Sequence, residues 1–436
     1  MAPEFIGIDF GTTNSALARV RPGSPPDLVT YVRGGRTSQT GRSILFFHPE
    51  RRDSRNVLLP WTGPAAIDAW LEANDEGISG RLMQSLKSHL ASRTFTRTSI
   101  YGGSYDLSAL VAFIVSGLAD LAEAQLGASR RRAVVGRPVR FASADTADDE
   151  ALALTRLREA FRLAGIEDVV FEYEPVAAAH FYDASLDHDE LVLIADFGGG
   201  TSDFSLMRVG PGTRGIDSAS RILGNSGVAL AGDAFDRRIV ENVVAPRLGM
   251  GTHYRAAMGT NRMRVPGWVY QQLRAWHLLS FLKTPQSMHS LREVLAGSEA
   301  PAEITALIHL VEEDLGYSLY ESVERTKSEL SSDTSSLFRF KDGPIDIEAR
   351  VTRSDFEAWI APEVAQIALS VEGLLMATGI DARDVDAVFL TGGTAFVPAV
   401  RRWFGERFGD DRLRGGNEMT SVAVGLALRA QELGRS

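Results

Sequence analysis

The sequence predicts an α/β protein built around two related strand-turn-strand units. The first reads IGIDFGTTNS from Ile6 to Ser15, and the second reads LIADFGGGTSDFS from Leu193 to Ser205. In each unit an apolar strand ends in Asp, a glycine turn follows, and Thr and small polar residues precede a second strand. Predicted strands and helices alternate between the two units and again after the second, which is typical of α/β architecture.

Both turns have the residue types that hold a phosphate group. Glycines remove side chains and permit positive φ, so successive backbone N–H groups can close around an anion. These glycines are Gly11 in the first turn and Gly198, Gly199 and Gly200 in the second. Asp9 and Asp196 bring negative charge to the same place, which indicates Mg²⁺ between carboxylate and phosphate. We therefore expect a nucleoside triphosphate and its metal between two related half-structures. The alternative is two unrelated hairpins, because Gly and Thr are ordinary turn residues.

Composition excludes several classes of function. The chain has 436 residues, and its 46 Lys and Arg against 56 Asp and Glu give a net charge of −10, which makes binding to nucleic acid or to an anionic membrane surface unexpected. It contains no cysteine, which excludes disulfides and thiolate chemistry and suits the cytoplasm. The apolar segment from Leu107 to Leu118 is followed by Asp120 and is predicted to be too short to span a membrane. We expect a cytoplasmic protein without a membrane segment.

The first half of the chain alternates strands and helices between the two glycine turns. Residues 33–105 are rich in Arg, Gly, Ser and Pro and predict an inserted subdomain. Apolar residues at i, i+3 and i+4 predict a helix from about Ser108. The strand RRAVVGRPVRF follows, and then a helix from near Asp145 that ends near Gly165. A strand from Val169 to Tyr173 and the helix VAAAHFYD lead to the second turn.

The second half repeats this organisation. A glycine-rich strand precedes a helix from Asp233, and SLFRF and IDIEARV predict a hairpin. Ser354 is the predicted N-cap of a long helix, in which Pro362 predicts a kink or a break. The buried strand of VDAVFLTGGT precedes a third glycine turn at residues 392–394, and SVAVGLALRAQEL predicts a final helix.

Five segments, in this order along the chain, resemble the nucleotide-binding part of the seventy-kilodalton heat-shock chaperones. They are GIDFGTTNS, YEPVAAAHFY, IADFGGGTSDFSL, VERTKSELSS and LTGGTAFVP. The resemblance covers nearly the whole chain and extends to the YegD-like branch within the actin, hexokinase and heat-shock ATPase superfamily. It implies a two-lobed actin-like ATPase fold, each lobe having a ribonuclease-H-like core with an inserted subdomain. The implied ligands are ATP or ADP and Mg²⁺.

The resemblance also implies domain boundaries. Lobe I covers residues 1–182, with its core at 1–32 and 106–182 and an inserted subdomain at 33–105. Lobe II covers residues 183–436, with its core at 183–225 and 353–436 and an inserted subdomain at 226–352. The sequence ends at Ser436, so no peptide-binding domain is expected.

Roles for individual residues follow from the resemblance. Asp9 and Asp196 resemble the carboxylates that hold the water shell of the metal, and Glu174 and Asp203 resemble acids near the attacking water. The residues expected to contact phosphate are Gly11, Thr12, Thr13, Asn14, Gly198, Gly199, Gly200 and Thr201. The residues expected to contact the nucleoside are Glu324, Lys327, Ser328, Gly392, Gly393 and Thr394. Two alternatives stay open: Glu174 as an acid that stabilises a helix N-terminus, and Glu324 with Lys327 as a surface ion pair.

Three positions depart from the family pattern. In the family a lysine near the γ-phosphate follows Gly-x-Ala-Ala, whereas here residues 63–66 are followed by Ile67. Lys87, in SLKSHL, is a candidate replacement. Ser328 and Phe396 stand where the chaperones carry arginines that frame the base. Loss of a cation at the developing charge slows hydrolysis, so we expect ATP binding with slow or partner-dependent turnover.

The expected partner is a protein or a client of unidentified kind. One candidate surface runs from Arg247 to Arg292, where six Arg and one Lys alternate with aromatic residues and no Asp or Glu occurs. The aromatic residues are Tyr254, Trp268, Tyr270, Trp276 and Phe281. The alternative interpretation is an inserted helical subdomain, with aromatic residues in its core and arginines that are solvated or paired with other segments. The oligomeric state is not predicted.

Three functions from different classes remain open at this stage. The first is a chaperone-like ATPase whose lobes open and close with nucleotide. The second is a nucleotide-holding scaffold without turnover, which Ile67 favours. The third is a small-metabolite kinase on the same fold, because a shared phosphate clamp does not fix the reaction. An actin-like filament former is a further, less favoured member of the same superfamily.

Overall fold

The computed structural model describes residues 5–21, 23–78, 80–128, 132–214, 216, 218–256, 261–274, 279, 282–416 and 419–433. The chain divides into two compact units. The first unit comprises Met1–Gly232 and Ala365–Ser436, and the second comprises Asp233–Val364. The lobe boundary predicted at residue 182 stays a prediction.

The elements of the N-terminal half alternate as predicted. They are β1 (Ile6–Phe10), β2 (Asn14–Arg19), β3 (Asp27–Leu28), β4 (Tyr31–Arg33), β5 (Arg36–Ser38), β6 (Gly41–Arg42), β7 (Ile44–Phe47), β8 (Trp61–Thr62), α1 (Gly63–Asp75), β9 (Arg81–Gln84), β10 (Thr98–Ile100), β11 (Gly103–Tyr105), α2 (Leu107–Leu126), β12 (Arg132–Arg137), α3 (Ala147–Leu163), β13 (Asp168–Tyr173) and α4 (Glu174–Asp183). A 3-10 helix, Leu86–His89, lies between β9 and β10.

The C-terminal half begins with the second glycine turn. Its elements are β14 (Glu190–Phe197), β15 (Ser202–Val209), α5 (Ser218–Arg221), β16 (Ile222–Val228), α6 (Gly232–Ile239), β17 (His253–Arg255), β18 (Arg262–Arg264), α7 (Gly267–Leu273), α8 (Pro285–Gly297), α9 (Pro301–Glu312), α10 (Gly316–Ser332), β19 (Ser335–Asp342), β20 (Ile345–Thr352), α11 (Arg353–Thr378), β21 (Ala387–Thr391), α12 (Pro398–Phe408), β22 (Leu413–Arg414) and α13 (Ser421–Leu433).

Two sheets with the same topology form the first unit. In one, the order is β3-β2-β1-β12-β13, with β6 also paired to β2 as a sixth strand, and in the other it is β16-β15-β14-β21-β22. In both, the first three strands in sequence are antiparallel and the last two run parallel to the first. Asp9 lies next to last in β1, and Asp196 lies next to last in β14. The two sequence units are therefore equivalent parts of two equivalent sheets.

Helices α4 and α13 each follow a strand of one sheet in sequence and pack on the other sheet. Helix α4 follows β13 of the first sheet, yet Val176 and Ala179 pack with Val192 and Ile194 of the second. Helix α13 follows β22 of the second sheet, yet it approaches β1 so closely that a Cβ on Gly7 would lie 2.3 Å from the amide nitrogen of Ala427. The two helices also meet each other, because a Cβ on Gly425 would lie 1.7 Å from the carbonyl oxygen of Ala177.

Between β3 and α2, the first unit carries three small antiparallel groups of strands. They are β4 with β5, β8-β7-β9, and β10 with β11. Helix α1 packs on β7 and buries Ile67 and Trp70. Pro64 occupies the first turn of α1, where its missing N–H costs no hydrogen bond.

The second unit combines helices α7 to α10 with two hairpins. Strands β17 and β18 form the first hairpin, and β19 and β20 form the second. In β19 alternate residues are buried, so one face of this hairpin packs against α10. The predicted SLFRF and IDIEARV hairpin is thus present, with longer strands than the two sequence segments.

One local prediction was wrong and another was wrong in part. The N-cap of α11 is Thr352 and not Ser354, because the Thr352 hydroxyl accepts from the Asp355 amide at 3.1 Å and Ser354 is already helical. At Pro362 the sequence predicted a kink or a break, and there is no break, because α11 continues to Thr378. Helix α2 runs for 20 residues and continues through Asp120, beyond the apolar segment from Leu107 to Leu118.

The length of α2 also corrects the prediction that this segment is too short to span a membrane. By length and composition alone, α2 and α11 are both long and apolar enough to do so. Such helices are weak indications by themselves, because core helices of soluble proteins have the same properties. Helix α2 is a core helix here, since Leu110, Val111 and Val115 are completely buried.

Candidate functional site

The first two glycine turns face each other. A Cβ on Gly200 would lie 3.5 Å from the hydroxyl oxygens of both Thr12 and Ser88, so the turn after β14 lies against the turn after β1. A Cβ on Gly11 would lie 2.0 Å from the carbonyl oxygen of Asn14, which explains the need for glycine. The Gly198 amide donates to the Thr201 carbonyl at 2.9 Å and closes the second turn. Thr13 and Gly199 complete the two turns.

Four carboxylates and one lysine lie beside these turns. Glu174, Asp196 and Asp203 are almost completely buried, and Asp9 is half-buried at the end of β1. Burial and the charge of Glu174 raise the pKa of Asp9 to about 7, against the opposing effect of Lys87. Burial and the charges of Glu174 and Asp9 also raise the pKa of Asp196. Asp196 and Asp203 are directly opposite each other in β14 and β15, so the cluster brings predicted catalytic acids together.

Lys87 enters this carboxylate cluster from the 3-10 helix after β9. It is only 6% exposed, and its Nζ donates to Glu174 Oε1 at 2.5 Å. Burial alone would lower the pKa of Lys87, but the charges of Glu174 and Asp9 outweigh burial and raise it. Lys87 is therefore protonated in the cluster. The sequence raised Lys87 as a candidate but contained no information on its partner, which lies 87 residues away.

Hydrogen bonds from backbone amides fix the carboxylate of Asp203. Its Oδ1 accepts from the amides of Val139 at 2.8 Å and Arg140 at 3.4 Å. Its Oδ2 is buried without a hydrogen-bond partner among the described residues. Burial and the charge of Glu174 raise the pKa of Asp203 to about 7, although the Thr201 side chain and these amides act in the opposite direction. The unsatisfied Oδ2 is the kind of buried polar atom that calls for a ligand, an ion or a water.

Glu174 has the helix N-terminal position that one interpretation of this residue predicts, and its role near the attacking water stays a prediction. It is the first residue of α4, in the turn where a negative charge is favoured by the helix dipole. Its carboxylate also bonds Lys87 inside the cluster. Gly136, which the sequence analysis missed, makes room for it, since a Cβ there would lie 3.0 Å from Glu174 Cγ.

The third glycine turn is joined directly to the second sheet. Gly392 has φ +84°, and a Cβ there would lie 2.0 Å from the carbonyl oxygen of Phe197, the last residue of β14. Gly393 begins a 3-10 turn whose Thr394 is buried. Around Gly393 the nearest atom to an added Cβ is Met419 Sδ at 3.8 Å, so this part of the turn is open.

The other predicted nucleoside contacts lie in the second unit, on α10. Lys327 Nζ donates to Asp236 Oδ2 at 2.8 Å and lies 2.7 Å from Asp236 Oδ1 in the same ion pair, which ties α10 to α6. Asp236 is buried, and burial raises its pKa to about 6 although Lys327 acts in the opposite direction. Glu324 is half-buried near this pair and Ser328 is exposed. Lys327 therefore has a buried partner on another helix, which the sequence spacing did not indicate.

The family model described as Hsp70 protein matches residues 78–252 and 310–434. The chain belongs to the Hsp70 family. The two-lobed actin-like ATPase fold predicted from the sequence is the fold of this family's nucleotide-binding region, and that prediction is confirmed.

Relatives of this Hsp70 chain include several bacterial proteins named chaperone protein DnaK. The protein of Thermosipho africanus is 28% identical over 435 residues, covering 98% of this chain and 58% of its own length. Those of Thermosipho melanesiensis and Thermotoga maritima are 27% identical and cover 98% of this chain, with 58% and 59% of their own lengths. This chain thus spans less than two thirds of the curated relatives.

The Hsp70 match leaves out residues 253–309, which contain much of the acid-free segment from Arg247 to Arg292. Arginines of this segment pair with acids outside it: Arg262 with Glu299, Arg274 with Glu241 and Arg292 with Glu312. Tyr270 is buried and donates to the Leu248 carbonyl, whereas Trp268 is exposed and Tyr254 half-buried. Trp276 and Phe281 lie outside the described residues. The pairing favours the helical-subdomain interpretation of this segment.

Proposed function

We propose that this chain binds ATP or ADP together with Mg²⁺ and hydrolyses ATP slowly or with the help of a partner, as a chaperone-like ATPase. The observation that carries the proposal is that two equivalent glycine turns, from two equivalent sheets, meet beside four carboxylates and one lysine. Membership of the Hsp70 family supports the same ligand.

The residues fit a hard divalent cation. Asp9 and Asp196 supply carboxylate oxygens at the ends of β1 and β14, and Mg²⁺ prefers one or two such ligands together with water and phosphate. Among the described residues, no group of three or more His, Cys, Asp or Glu side chains is arranged to hold a metal by itself. Asp9 and Asp196 would therefore hold the cation through its water shell. When bound, Mg²⁺ neutralises charge on the phosphate oxygens.

In this proposal the chain itself provides positioning and donors. Backbone amides and hydroxyls of Thr12, Thr13 and Thr201 orient the phosphates, with Gly198 to Gly200 and Asn14 alongside. Glu174 orients the attacking water and accepts its proton. Asp203, fixed by the amides of residues 139 and 140, holds a second hydrogen bond to the same water through its free Oδ2.

The proposed nucleoside contacts are the third glycine turn and α10. The backbone of Gly392, Gly393 and Thr394 would contact the sugar and base of the nucleotide. The open space beside Gly393 supports this contact. Family membership supports a nucleoside contact for three residues of α10, namely Glu324, Lys327 and Ser328. Client binding, a cytoplasmic location and a protein partner are likewise proposals, because the relatives named as chaperones are longer than this chain.

Equilibrium dialysis with labelled ATP and ADP, with and without Mg²⁺, tests the proposal. We expect saturable, Mg²⁺-dependent binding to the wild type, and we expect Asp196→Asn to weaken it by about 10- to 100-fold, as for removal of a residue that orients metal ligands. Asp346→Asn is the matched control, since that side chain is exposed on β20. Absence of ATP and ADP binding at millimolar concentration would contradict the proposal.

A nucleotide-holding scaffold is the second candidate, and Ile67 is the observation that favours it. Ile67 is a buried apolar residue of α1, so the position of the family lysine carries no charge. Single-turnover hydrolysis separates the two candidates. The ATPase predicts release of phosphate by the wild type and loss of this release in Glu174→Ala, whereas the scaffold predicts bound ATP that stays intact in both.

A further inference from the structure

The segment from Gln84 to His89 has a backbone conformation that delivers two side chains to the site. Ser85 is buried and adopts the left-handed conformation, with φ 57° and ψ 27°. A non-glycine residue in this region is strained, and such strain persists where the surrounding structure enforces it. The turn at Ser85 ends β9 and starts the 3-10 helix that carries Lys87 and Ser88.

Lys87 and Ser88 border both parts of the site at once. Lys87 Nζ bonds Glu174 in the carboxylate cluster, and the Ser88 hydroxyl lies 3.5 Å from where a Cβ on Gly200 would stand. Two consecutive residues thus contact the carboxylates on one side and the glycine turn on the other. A phosphate group held by that turn would lie next to the Lys87 ammonium.

More carboxylates lie near Lys87 than its single positive charge can neutralise. Asp9, Asp196 and Asp203 lie close enough to Lys87 for their charges to affect one another, in addition to the direct bond to Glu174. A polyphosphate brings further negative charge into the same space. A cation with three rotatable N–H donors can hold a phosphate oxygen and a carboxylate together, or exchange one for the other.

We propose that Lys87 is the cation that binds the terminal phosphate of the nucleotide, with Ser88 as a hydroxyl donor beside it. This inference rests on the proposed nucleotide binding and adds to it a residue for the third phosphate. Lys87 shifts its hydrogen bond from Glu174 to a phosphate oxygen, which leaves Glu174 available to orient water. The buried Ile67 of α1 leaves this role to a residue from a different element, and Lys87 fills it.

Preference for ATP over ADP is the direct readout, because only ATP carries the third phosphate. We expect Lys87→Met to weaken ATP binding about 10- to 100-fold, because the variant loses a hydrogen bond to a charged group. Binding of ADP should be nearly unchanged. Lys87→Arg keeps the charge and should retain a large part of the preference. Lys341→Met is the matched control, because Lys341 is an exposed lysine of β19.

A double variant distinguishes phosphate binding from simple charge balance within the protein. In Lys87→Met/Glu174→Gln both members of the buried pair are removed, so the net charge of the carboxylate cluster stays the same. If Lys87 binds phosphate, the double variant also loses the preference for ATP. If Lys87 only neutralises Glu174, the double variant keeps the wild-type ratio of the two dissociation constants.

Each outcome of dialysis has a distinct meaning. A wild-type ratio in Lys87→Met, or in the double variant if the single variant fails to fold, overturns the role of Lys87 while nucleotide binding stands. Absence of ATP and ADP binding to the wild type overturns the proposed function and this inference with it. Loss of the ratio in both variants, with ADP binding retained, supports Lys87 as the phosphate-binding cation.

Discussion

The contact between α4 and α13 gives a sharp prediction for Gly425→Ala. The added methyl group would lie 1.7 Å from the Ala177 carbonyl oxygen, whereas an ordinary contact is about 3.4 to 4 Å. Both sides of this contact are helix backbone, so no side chain can rotate away and the helices must separate. Separation would also loosen α13 on β1, where an added Cβ on Gly7 would lie 2.3 Å from the Ala427 amide nitrogen.

The magnitude follows from two opposing effects. Overpacking costs about 3 kcal/mol, while Gly→Ala inside a helix gains about 1 kcal/mol, so we expect a net loss of about 2 kcal/mol. Gly373→Ala on α11 is the matched control, because an added Cβ there meets no atom within 4 Å among the described residues. This control should instead stabilise the protein, by about 0.5 to 1 kcal/mol.

Urea unfolding followed by intrinsic tryptophan fluorescence measures both variants. A lower midpoint with an unchanged slope for Gly425→Ala, and a midpoint at or above wild type for Gly373→Ala, is the expected pattern. Equal midpoints for the two variants would refute the argument that the helices cross in backbone contact.

Two further predictions concern ion pairs and caps. Asp236→Leu should destabilise the second unit by about 3 kcal/mol because it removes the buried carboxylate that Lys327 bonds. The double variant Asp236→Leu/Lys327→Met should lose less stability than the sum of Asp236→Leu and Lys327→Met, which a double-mutant cycle in urea measures; full additivity of the two single changes would contradict this expectation. The Thr146 hydroxyl and then Arg93 lower the pKa of Asp149 to about 2 from its ordinary 3.8, so its contribution to stability is complete above pH 4 and is lost as the pH falls toward 2. The difference in unfolding midpoint between wild type and Asp149→Asn should therefore shrink over that range, and a constant difference would be inconsistent with this cap.

Local sequence patterns predicted much of the fold. The repeated Asp-Gly-Thr unit predicted both β1-β2 and β14-β15, because glycine turns and strand ends are set within about ten residues. The apolar periodicity of α2 predicted its start to within one residue. The helix continues beyond the apolar segment from Leu107 to Leu118 because Asp120 is a single polar residue on an exposed face, and a helix tolerates such a residue.

The residues that the sequence did not place depend on contacts between distant segments. Lys87 meets Glu174 across 87 positions, and Lys327 meets Asp236 across 91. No periodicity relates such pairs, and their meeting is decided by how the sheets and helices pack. The left-handed Ser85 was equally unpredictable, since serine gives no signal for positive φ and the surrounding structure imposes it.

The packing of α4 and α13 on each other's sheets affects when the first sheet can fold during synthesis. Strand β1 precedes α13, which packs on it through Gly7, by hundreds of residues, so β1 is synthesised long before α13. The first sheet therefore waits with one face uncovered until nearly all of the described chain has been translated. Domains ordinarily fold as they emerge, but here the first sheet lacks a helix that packs on it until α13 has been made.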